Sequence, residues 1–213
     1  MDNLISIEKE LQLKASDLTK PKIIAVTKTF PLEKVMPIIE YGHVHFGENK
    51  VQEAVKKWTD IKKKNPNLVL HMIGNLQSNK VKYAIDIFDY IHSLDSLKLA
   101  EKISIEEKKK KKKFKIFIQI NIGDETQKNG ININDLDSFY SVCIKKFDLN
   151  IVGLMCLPPQ DKNNKLHFLK MNSLKNKMKL NDLSMGMSDD YSEAIDCGAS
   201  FVRIGSKIFG QRN

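Results

Sequence analysis

The feature that most constrains this chain is a repeated alternation of a short apolar segment with an amphipathic one. The short segments have the length and composition of strands, and the intervening segments show helical spacing. Strands that alternate with helices pair in parallel through right-handed crossovers. Eight such units most simply close into a (β/α)8 barrel, an α/β TIM barrel, whereas a doubly wound open sheet is the alternative. The predicted strands are residues 22–28, 43–46, 68–73, 89–92, 114–121, 150–155, 181–184 and 200–204.

The predicted helices fill the gaps between these strands, and one more precedes the first strand. That N-terminal helix is marked by Leu4, Ile7 and Leu11, and by the stretch from Leu13 to Leu18. A second helix begins at Pro31 and ends at Gly42. No linker rich in Pro, Gly or Ser divides the sequence, so residues 1–213 are predicted to form a single domain. Further helices are predicted at residues 50–63, 96–109, 134–146, 164–178, 189–197 and 206–210.

The first predicted strand ends at a lysine. Ile23 to Val26 are apolar without alternation, and Pro21 and Pro31 bracket them, which is typical of a strand buried on both faces. Lys28 then lies at the carboxyl end of the strand, where α/β folds hold their ligands. An amine at this place is a candidate for a Schiff base. The alternative is a lysine that leaves the strand and points into water, since lysine is rarely buried unless it is paired.

Polar and glycine residues follow most of the other predicted strands. Because the carboxyl ends of parallel strands meet at one rim of a barrel, these residues are expected to collect where barrel enzymes hold substrate. The segments concerned are residues 47–49, 74–80, 92–95, 184–190 and 203–206.

The segments after the last two strands predict a phosphate site. Barrels often bind phosphate with these loops and the start of a short helix. Gly205 would let the backbone approach closely, Ser206 adds a hydroxyl, and Ser184 could donate from across the gap. The alternative is helix capping, which accounts for Ser188 and for the two aspartates that follow it. For Gly205 and Ser206 the sequence does not decide between phosphate binding and helix capping.

A net charge of +9 raises nucleic acid as a partner. Only Arg203 and Arg212 are arginine, however, and arginine is the usual reader of phosphates and guanine edges. Specific recognition of nucleic acid is therefore not expected. The excess charge concentrates in six lysines at 108–113, which are predicted to form a solvated helix end; weak binding of a polyanion is the alternative.

The three cysteines are widely spaced and form no CxxC pair, which favours a reducing cytoplasm and argues against a zinc site. The first residues contain no apolar region typical of a signal peptide. No apolar run is long enough for a membrane span, so no membrane association is predicted.

Several sequence strings together resemble one family. In chain order they resemble the YggS/PROSC family of pyridoxal 5′-phosphate (PLP) homeostasis proteins, which are similar to the amino-terminal barrel of alanine racemase. The resemblance covers residues 23 to 210 and implies a fold-type III PLP barrel. Lys50 and Asn75 depart from the family pattern, which has an aromatic residue at the first position and His or Pro at the second. The strings are Ala-Val-Thr-Lys at 25–28, His-Phe-Gly-Glu-Asn at 45–49, Ile-Gly-Asn-Leu-Gln-Ser-Asn-Lys at 73–80, Gly-Leu-Met at 153–155, Leu-Ser-Met-Gly-Met-Ser-Asp-Asp at 183–190 and Val-Arg-Ile-Gly-Ser at 202–206.

The resemblance also implies roles for individual residues. Lys28 would hold PLP as a Schiff base, and Asn49 would line the face of the cofactor. Arg203 would lie near the pyridine nitrogen or the phosphate. The residues that would receive the phosphate are Ser184, Gly205 and Ser206.

Two functions follow from this resemblance, a PLP carrier or regulator and a PLP-dependent amino-acid racemase. A racemase needs an acid/base group on each face of the substrate carbanion, and Lys28 supplies one of them. In fold-type III racemases the other comes from a second domain, whereas this chain ends at Asn213, soon after the eighth unit. An arginine opposite the pyridine nitrogen would also make PLP a poorer electron sink. The replacements that the sequence offers are Tyr83, Tyr90, Tyr140, Tyr191, His71 and His92.

The carrier is therefore the expected function. It would act in the cytoplasm as a monomer or weak dimer, with PLP as ligand and PLP-dependent apo-enzymes as candidate recipients.

Overall fold

The computed structural model describes residues 1–14, 20–125, 129–159, 161 and 163–211. Within these ranges, parallel strands close a barrel in the order of the sequence. The barrel closes where the first strand pairs with the last, with Lys22 opposite Phe201 and Ala25 opposite Ile204. The predicted closed barrel is confirmed, and the open-sheet alternative is wrong. The strands are Lys22–Val26 (β1), His45–Glu48 (β2), Val69–Met72 (β3), Tyr90–Leu94 (β4), Lys115–Ile120 (β5), Ile151–Cys156 (β6), Asp182–Ser184 (β7) and Phe201–Ile204 (β8).

The helices surround this barrel, one after each strand and one before the first. Two short 3₁₀ helices, Ser78–Lys80 and Ile133–Asp135, precede α4 and α6. No helix in the described ranges combines the length and the apolar character needed to cross a bilayer. The helices are Asp2–Lys14 (α1), Leu32–Glu40 (α2), Val51–Lys64 (α3), Val81–Ile87 (α4), Leu97–Lys110 (α5), Leu136–Lys145 (α6), Asn164–Lys177 (α7), Tyr191–Asp196 (α8) and Ser206–Phe209 (α9).

The predicted N-terminal helix is present as α1. It buries Leu4, Ile7 and Leu11 in the main core and packs against α8 and α9. Leu13 is 89% exposed and does not belong to this apolar face. Leu18, the last residue of the predicted stretch, lies outside the described residues.

Apolar side chains form two separate layers. The larger layer lies between the strands and the helices and contains fully buried side chains such as Phe46, Trp58 and Phe168. The smaller layer consists of residues from the strands, because successive side chains of a barrel strand alternate between its inside and its outside. This second cluster is Ile24, Tyr90, Phe117, Met155 and Phe201. A packed interior of this kind leaves the carboxyl rim as the place for a ligand.

The first strand is shorter than predicted. It ends at Val26, because the carbonyl oxygen of Thr27 accepts hydrogen bonds from the Phe30 N–H at 3.1 Å and from Lys57 Nζ at 2.8 Å instead of joining a strand ladder. Lys28 therefore lies in a turn just beyond the strand.

The second strand begins and ends two residues later than predicted. The backbone N–H of His43 donates to the carbonyl oxygen of Ile38 at 3.2 Å, at the end of α2, so the chain has not yet entered the strand there. The strand continues instead to Glu48, a buried carboxylate. An apolar pattern cannot predict that a charged residue belongs to a buried strand.

The run of six lysines is only partly a solvated helix end. Helix α5 ends within it, and Lys111 follows with φ +52°. Lys112 Nζ donates to two carbonyl oxygens at the end of α4, at 2.8 and 2.9 Å. Lys113 forms an ion pair with Asp148 at 2.8 Å. These two lysines attach the end of α5 to its neighbours, which the charge pattern did not indicate.

Candidate functional site

A cavity of about 500 Å³ opens at the carboxyl ends of the strands. It brings together Lys28, Asn49, Arg203, Gly205 and Ser206, all of which the sequence had singled out, whereas Ser184 is not among its lining residues. The cavity thus lies at the predicted rim. Its lining residues in the described part of the chain are Val26, Lys28, Asn49, Ile73, Gly74, Leu157, Met187, Ser188, Asp189, Arg203, Gly205 and Ser206.

Lys28 is positioned by a buried cluster directly before it. The hydroxyl of Thr27 donates to Glu48 Oε1 at 2.7 Å, and the same oxygen accepts from Lys57 Nζ at 2.9 Å and from Trp58 Nε1 at 3.0 Å. Glu48 is 0% exposed, so these donors replace water around Oε1, whereas Oε2 is buried without a hydrogen-bond partner among the described residues. The cluster fixes the residue that precedes Lys28. The sequence placed Glu48 in the rim segment 47–49 but did not indicate this structural role.

Asn49 is held at the cavity by a close backbone contact. A Cβ atom on Gly74 would lie 2.4 Å from the carbonyl oxygen of Asn49 and 2.7 Å from its Cα, which no side chain can do. Glycine is therefore required at residue 74 for the loops after β2 and β3 to pack. The Oδ1 atom of Asn49 is buried and has no hydrogen-bond partner within the described residues. The Asn49 side chain can therefore accept a hydrogen bond at the cavity wall.

Arg203 is a buried cation that has no ion-pair partner among the described residues. It is 4% exposed, and its guanidinium donates to Ser184 Oγ at 2.7 Å and to the carbonyl oxygen of Cys156 at 2.9 Å. Both acceptors are neutral, and in the described part of the chain no carboxylate lies within ion-pair distance of the guanidinium. Burial lowers the pKa of Arg203, because the charged form loses its hydration. An anion that enters the cavity would supply the missing charge.

Ser184 lies beneath the cavity rather than on its wall. Its Oγ is fully buried and contacts both Arg203 and Nδ1 of His92, the latter at 2.8 Å. His92 Nε2 lies 2.9 Å from His71 Nδ1, and His71 Nε2 lies 3.0 Å from His45 Nδ1. His71 and His92, which the sequence left open between acid/base groups and core residues, are completely buried inside the barrel.

Two hydroxyl groups face each other at the other side of the cavity. The Ser206 hydroxyl donates to Ser188 Oγ at 3.1 Å. The residue at the N-cap of α8 is Asp190, without a side-chain cap, so the prediction that Ser188 caps a helix is wrong. A Cβ atom on Gly205 would meet Val26 at 3.4 Å, an ordinary contact, so protein packing alone does not require glycine there. This corner offers two hydroxyls and an unobstructed backbone to an anionic group.

The tyrosines and histidines considered as second acid/base groups do not line the cavity in the described part of the chain. Tyr83 is exposed on α4, Tyr90 lies in the inner apolar cluster, and the Tyr191 hydroxyl donates to Glu10. Tyr140 packs against the main core. Asp189, which the sequence analysis assigned to a helix turn, is an exposed residue that lines the cavity.

The fold and the rim cavity define a class of protein. The family described as "Alanine racemase, N-terminal domain" matches residues 3–213, so the chain is a barrel of this class. Two curated relatives carry the name "Pyridoxal phosphate homeostasis protein". The one from Pasteurella multocida is 37% identical over 225 residues, covering 99% of this chain and 97% of that protein. The one from Aquifex aeolicus is 35% identical over 200 residues, covering 90% and 87%. The chain therefore belongs to the YggS/PROSC family of PLP homeostasis proteins, and the predicted membership is confirmed.

Solved structures agree with this assignment. PipY from Synechococcus elongatus PCC7942, solved without PLP, has a TM-score of 0.89 at 30% identity, covering 98% of this chain and 99% of that chain. The PLP-bound structure of PipY has a TM-score of 0.85. An alanine racemase from Clostridium difficile is only 16% identical, with a TM-score of 0.72, and this chain covers 57% of it. That similarity concerns the fold alone.

Proposed function

We propose that this protein binds PLP through a Schiff base on Lys28 and acts as a PLP carrier or regulator in vitamin B6 and amino-acid homeostasis, without strong catalytic activity. The observation that carries the proposal is the buried guanidinium of Arg203, which faces the same cavity as Lys28 and has no carboxylate beside it in the described residues. PLP is an anionic aldehyde. Its negative charge suits the guanidinium, and its aldehyde suits the amine.

The other lining residues fit the remaining parts of PLP. The Ser188 and Ser206 hydroxyls and the Gly205 backbone would receive the phosphate, and Asn49 would contact the ring. A cavity of about 500 Å³ is within the ordinary range for small-molecule sites. Ser184, which the resemblance assigned to the phosphate, would instead act on the cofactor through Arg203, because its Oγ is fully buried beneath the cavity. PLP itself would supply a reversible electrophilic carbonyl.

The carrier is favoured over a racemase by the groups around the cavity. Guanidinium is a donor only, so Arg203 opposite the pyridine nitrogen would hold that nitrogen unprotonated and weaken PLP as an electron sink. Neither a histidine nor a tyrosine is among the described lining residues. The name of the relatives, PLP homeostasis protein, supports the same choice. In the racemase alternative, the exposed carboxylate of Asp189 would be the second acid/base group.

Absorbance spectroscopy tests the binding mode. The purified protein with PLP should show the visible band of a Schiff base, and Lys28→Ala should lose it. Lys50→Ala is the matched control, because Lys50 is an exposed rim lysine that pairs with Glu53 at 2.8 Å. Loss of the band in the control, or its retention in Lys28→Ala, would contradict the assignment.

Two further measurements separate the carrier from the enzyme. Incubation of the holoprotein with L-alanine, followed by chiral analysis, should show no sustained racemisation; turnover that depends on Lys28 would favour the racemase. Transfer of bound PLP to a PLP-dependent apo-enzyme should be faster than release of PLP into solvent that contains a PLP-trapping amine. Equal rates would remove direct transfer from the proposal.

The compartment, assembly and domain organisation remain part of the proposal. The three cysteines are free and buried, which is compatible with the proposed cytoplasmic location. Burial raises the pKa of Cys156 to about 12, so its thiol stays protonated. A monomer or weak dimer is expected in sedimentation, and limited proteolysis should release no stable fragment if residues 1–213 form one domain.

A further inference from the structure

We propose that His92, His71 and His45 form a neutral hydrogen-bonded chain inside the barrel, and that this histidine chain acts through Ser184 to position the guanidinium of Arg203. The residues of the chain are positioning residues, since none of the three histidines lines the cavity in the described part of the protein. The inference rests on the proposed function in that Arg203 is taken to face PLP.

The contacts are continuous from Arg203 to the amino end of β2. Arg203 lies 2.7 Å from Ser184 Oγ, which lies 2.8 Å from His92 Nδ1. The two following links, from His92 to His71 and from His71 to His45, are 2.9 and 3.0 Å long. Ser184, His71 and His92 are fully buried, so water cannot replace a link that is lost.

The direction of donation follows from the guanidinium. Arginine can only donate, so Ser184 Oγ accepts from Arg203 and its own proton is left for His92 Nδ1. His92 then carries its proton on Nε2 and donates to Nδ1 of His71. His71 in turn donates from Nε2 to Nδ1 of His45. All three imidazoles are thereby assigned the same tautomer, with Nε2 protonated and Nδ1 accepting.

The surroundings keep these rings uncharged and fixed. Burial lowers the pKa of His71 and of His92 well below the ordinary value, and the charge of Arg203 adds to the effect at His92. Burial also lowers the pKa of His45 to about 4. Phe117 stacks on His92 with ring centroids 4.3 Å apart, and Tyr90 stacks on His71 at 4.4 Å. A neutral ring at residue 92 is what gives Ser184 an acceptor, because a charged imidazole would only donate.

The consequence concerns the cavity. One guanidinium nitrogen donates to Ser184 and another to the Cys156 carbonyl, which fixes the guanidinium plane; the N–H groups that have no partner among the described residues can donate to a ligand. Without the chain, the Ser184 hydroxyl would lack its acceptor and could rotate, so the hydrogen bond that Oγ accepts from Arg203 would no longer be fixed in direction. Fixing a donor before the ligand arrives strengthens binding, because less ordering remains to be done.

Histidine ¹⁵N NMR on the cofactor-free protein tests the tautomers. His45, His71 and His92 should each show a protonated Nε2 and an unprotonated Nδ1 at neutral pH. A protonated Nδ1 at His92, or a charged ring at His71 or His92, would overturn the proposal. The side-chain Nε–H signal of Arg203 should be sharp, and it should shift or broaden in His92→Phe.

PLP titrations test the effect on binding. His92→Phe keeps the ring and its stacking but removes the acceptor, and Ser184→Ala removes the link; each should weaken PLP binding about tenfold. His92→Asn should recover most of the loss, because its amide can accept where Nδ1 did. The matched control is Ser200→Ala, whose hydroxyl bonds the backbone N–H of Leu183 instead. It should leave the affinity unchanged.

A double-mutant cycle separates positioning from general structure. In the background of Arg203→Gln, His92→Phe should weaken PLP binding by less than about twofold, because its effect passes through Arg203. Additive losses, or failure of His92→Asn to rescue, would overturn the proposal. If the wild-type protein binds no PLP at all, the proposed function fails, whereas the tautomers and the Arg203 signal still decide whether the histidine chain exists.

Discussion

Two cations near the carboxyl end of the barrel, the partly buried Lys57 and the buried Arg203, have different partners. Lys57 lies 2.9 Å from the carboxylate of Glu48, and its side chain is 16% exposed. Arg203 is more deeply buried and donates only to a hydroxyl and a carbonyl among the described residues. The first arrangement is electrically complete within the protein. The second has no carboxylate within ion-pair distance among the described residues, so an anion that enters the cavity can add the counter-charge.

The Lys57–Glu48 pair stabilises the fold, whereas the Arg203 site prepares the cavity for a ligand. Breaking a buried ion pair leaves an uncompensated charge and strongly destabilises the protein. A buried charge that contacts only neutral dipoles already lowers the stability of the folded protein, so its removal should cost little. The Glu48 cluster therefore fixes the turn that carries Lys28. The Arg203 site stores an unmet interaction that a ligand can satisfy. The predictions below test this distinction, from the largest expected effect to the smallest.

The largest effect is expected at Glu48. Glu48→Gln keeps a hydrogen-bond acceptor but leaves Lys57 without its anion, so the free energy of unfolding should fall by about 3 kcal/mol. Denaturant unfolding measures this. Adding Lys57→Met should recover part of the loss, because the stranded charge is removed with its partner. A loss below about 1 kcal/mol for Glu48→Gln would contradict the structural role of the pair.

Arg203→Met should change ligand affinity and leave stability nearly unchanged, unlike Glu48→Gln. The free energy of unfolding of the cofactor-free protein should change by less than about 1 kcal/mol in either direction, since the lost hydrogen bonds are offset by the removal of a buried charge. PLP affinity should fall about 100-fold, the value of charge-assisted bonds to an anion. Titration and unfolding of the same variant check both. Severe destabilisation with unchanged PLP affinity would show that Arg203 supports the fold and does not bind the ligand.

The third effect is a dependence of stability on pH. Ser184, which accepts from Arg203, needs an uncharged His92 as acceptor for its own proton. Burial holds the folded pKa of His45 at about 4, and those of His71 and His92 well below their ordinary value. Below about pH 6.5 the unfolded chain therefore binds more protons than the folded one, and stability falls as the pH falls. Between pH 7 and pH 6 each histidine should contribute about 0.7 kcal/mol to this loss, or about 2 kcal/mol for the three together. Urea unfolding at pH 7 and 6 should show the loss, and equal stabilities at the two pH values would contradict it.

The smallest effect is expected in the lysine run. Lys112 resembles Arg203 in donating to carbonyl oxygens, those of Ile85 and Phe88, but it is only half-buried, so water completes its solvation. Lys112→Met should lower the free energy of unfolding by about 1 kcal/mol. The exposed Lys109→Met is the control, with a change within about 0.5 kcal/mol. Equal effects would show that the two carbonyl contacts contribute nothing.

The sequence predicted the parts of the structure that follow from periodicity. Strand and helix patterns placed the carboxyl ends of the strands on one rim, and that alone brought Lys28, Asn49, Arg203 and Gly205 to one cavity. The resemblance to a known family then named a ligand. Neither step needed the direction of any side chain.

The rest depended on side-chain direction and on partners distant in sequence. Ser184 points into the barrel interior, away from the cavity, where its Oγ contacts His92, a residue of the distant strand β4. Ser188 was mistaken for a helix cap because the register of the short α8 shifts the cap to Asp190. The structural role of Glu48 was missed because its donors come from the turn after β1 and from α3. Such contacts are fixed only once the barrel has closed.

Trapping the cofactor on its lysine tests the central claim most directly. The protein would be incubated with one equivalent of PLP, reduced with borohydride to convert a Schiff base into a stable amine, digested, and mapped by mass spectrometry. The pyridoxyl group should be found on Lys28, and Arg203→Met should reduce its yield. Modification spread over surface lysines such as those at 108–113, with Lys28 unmodified, would contradict the proposed site.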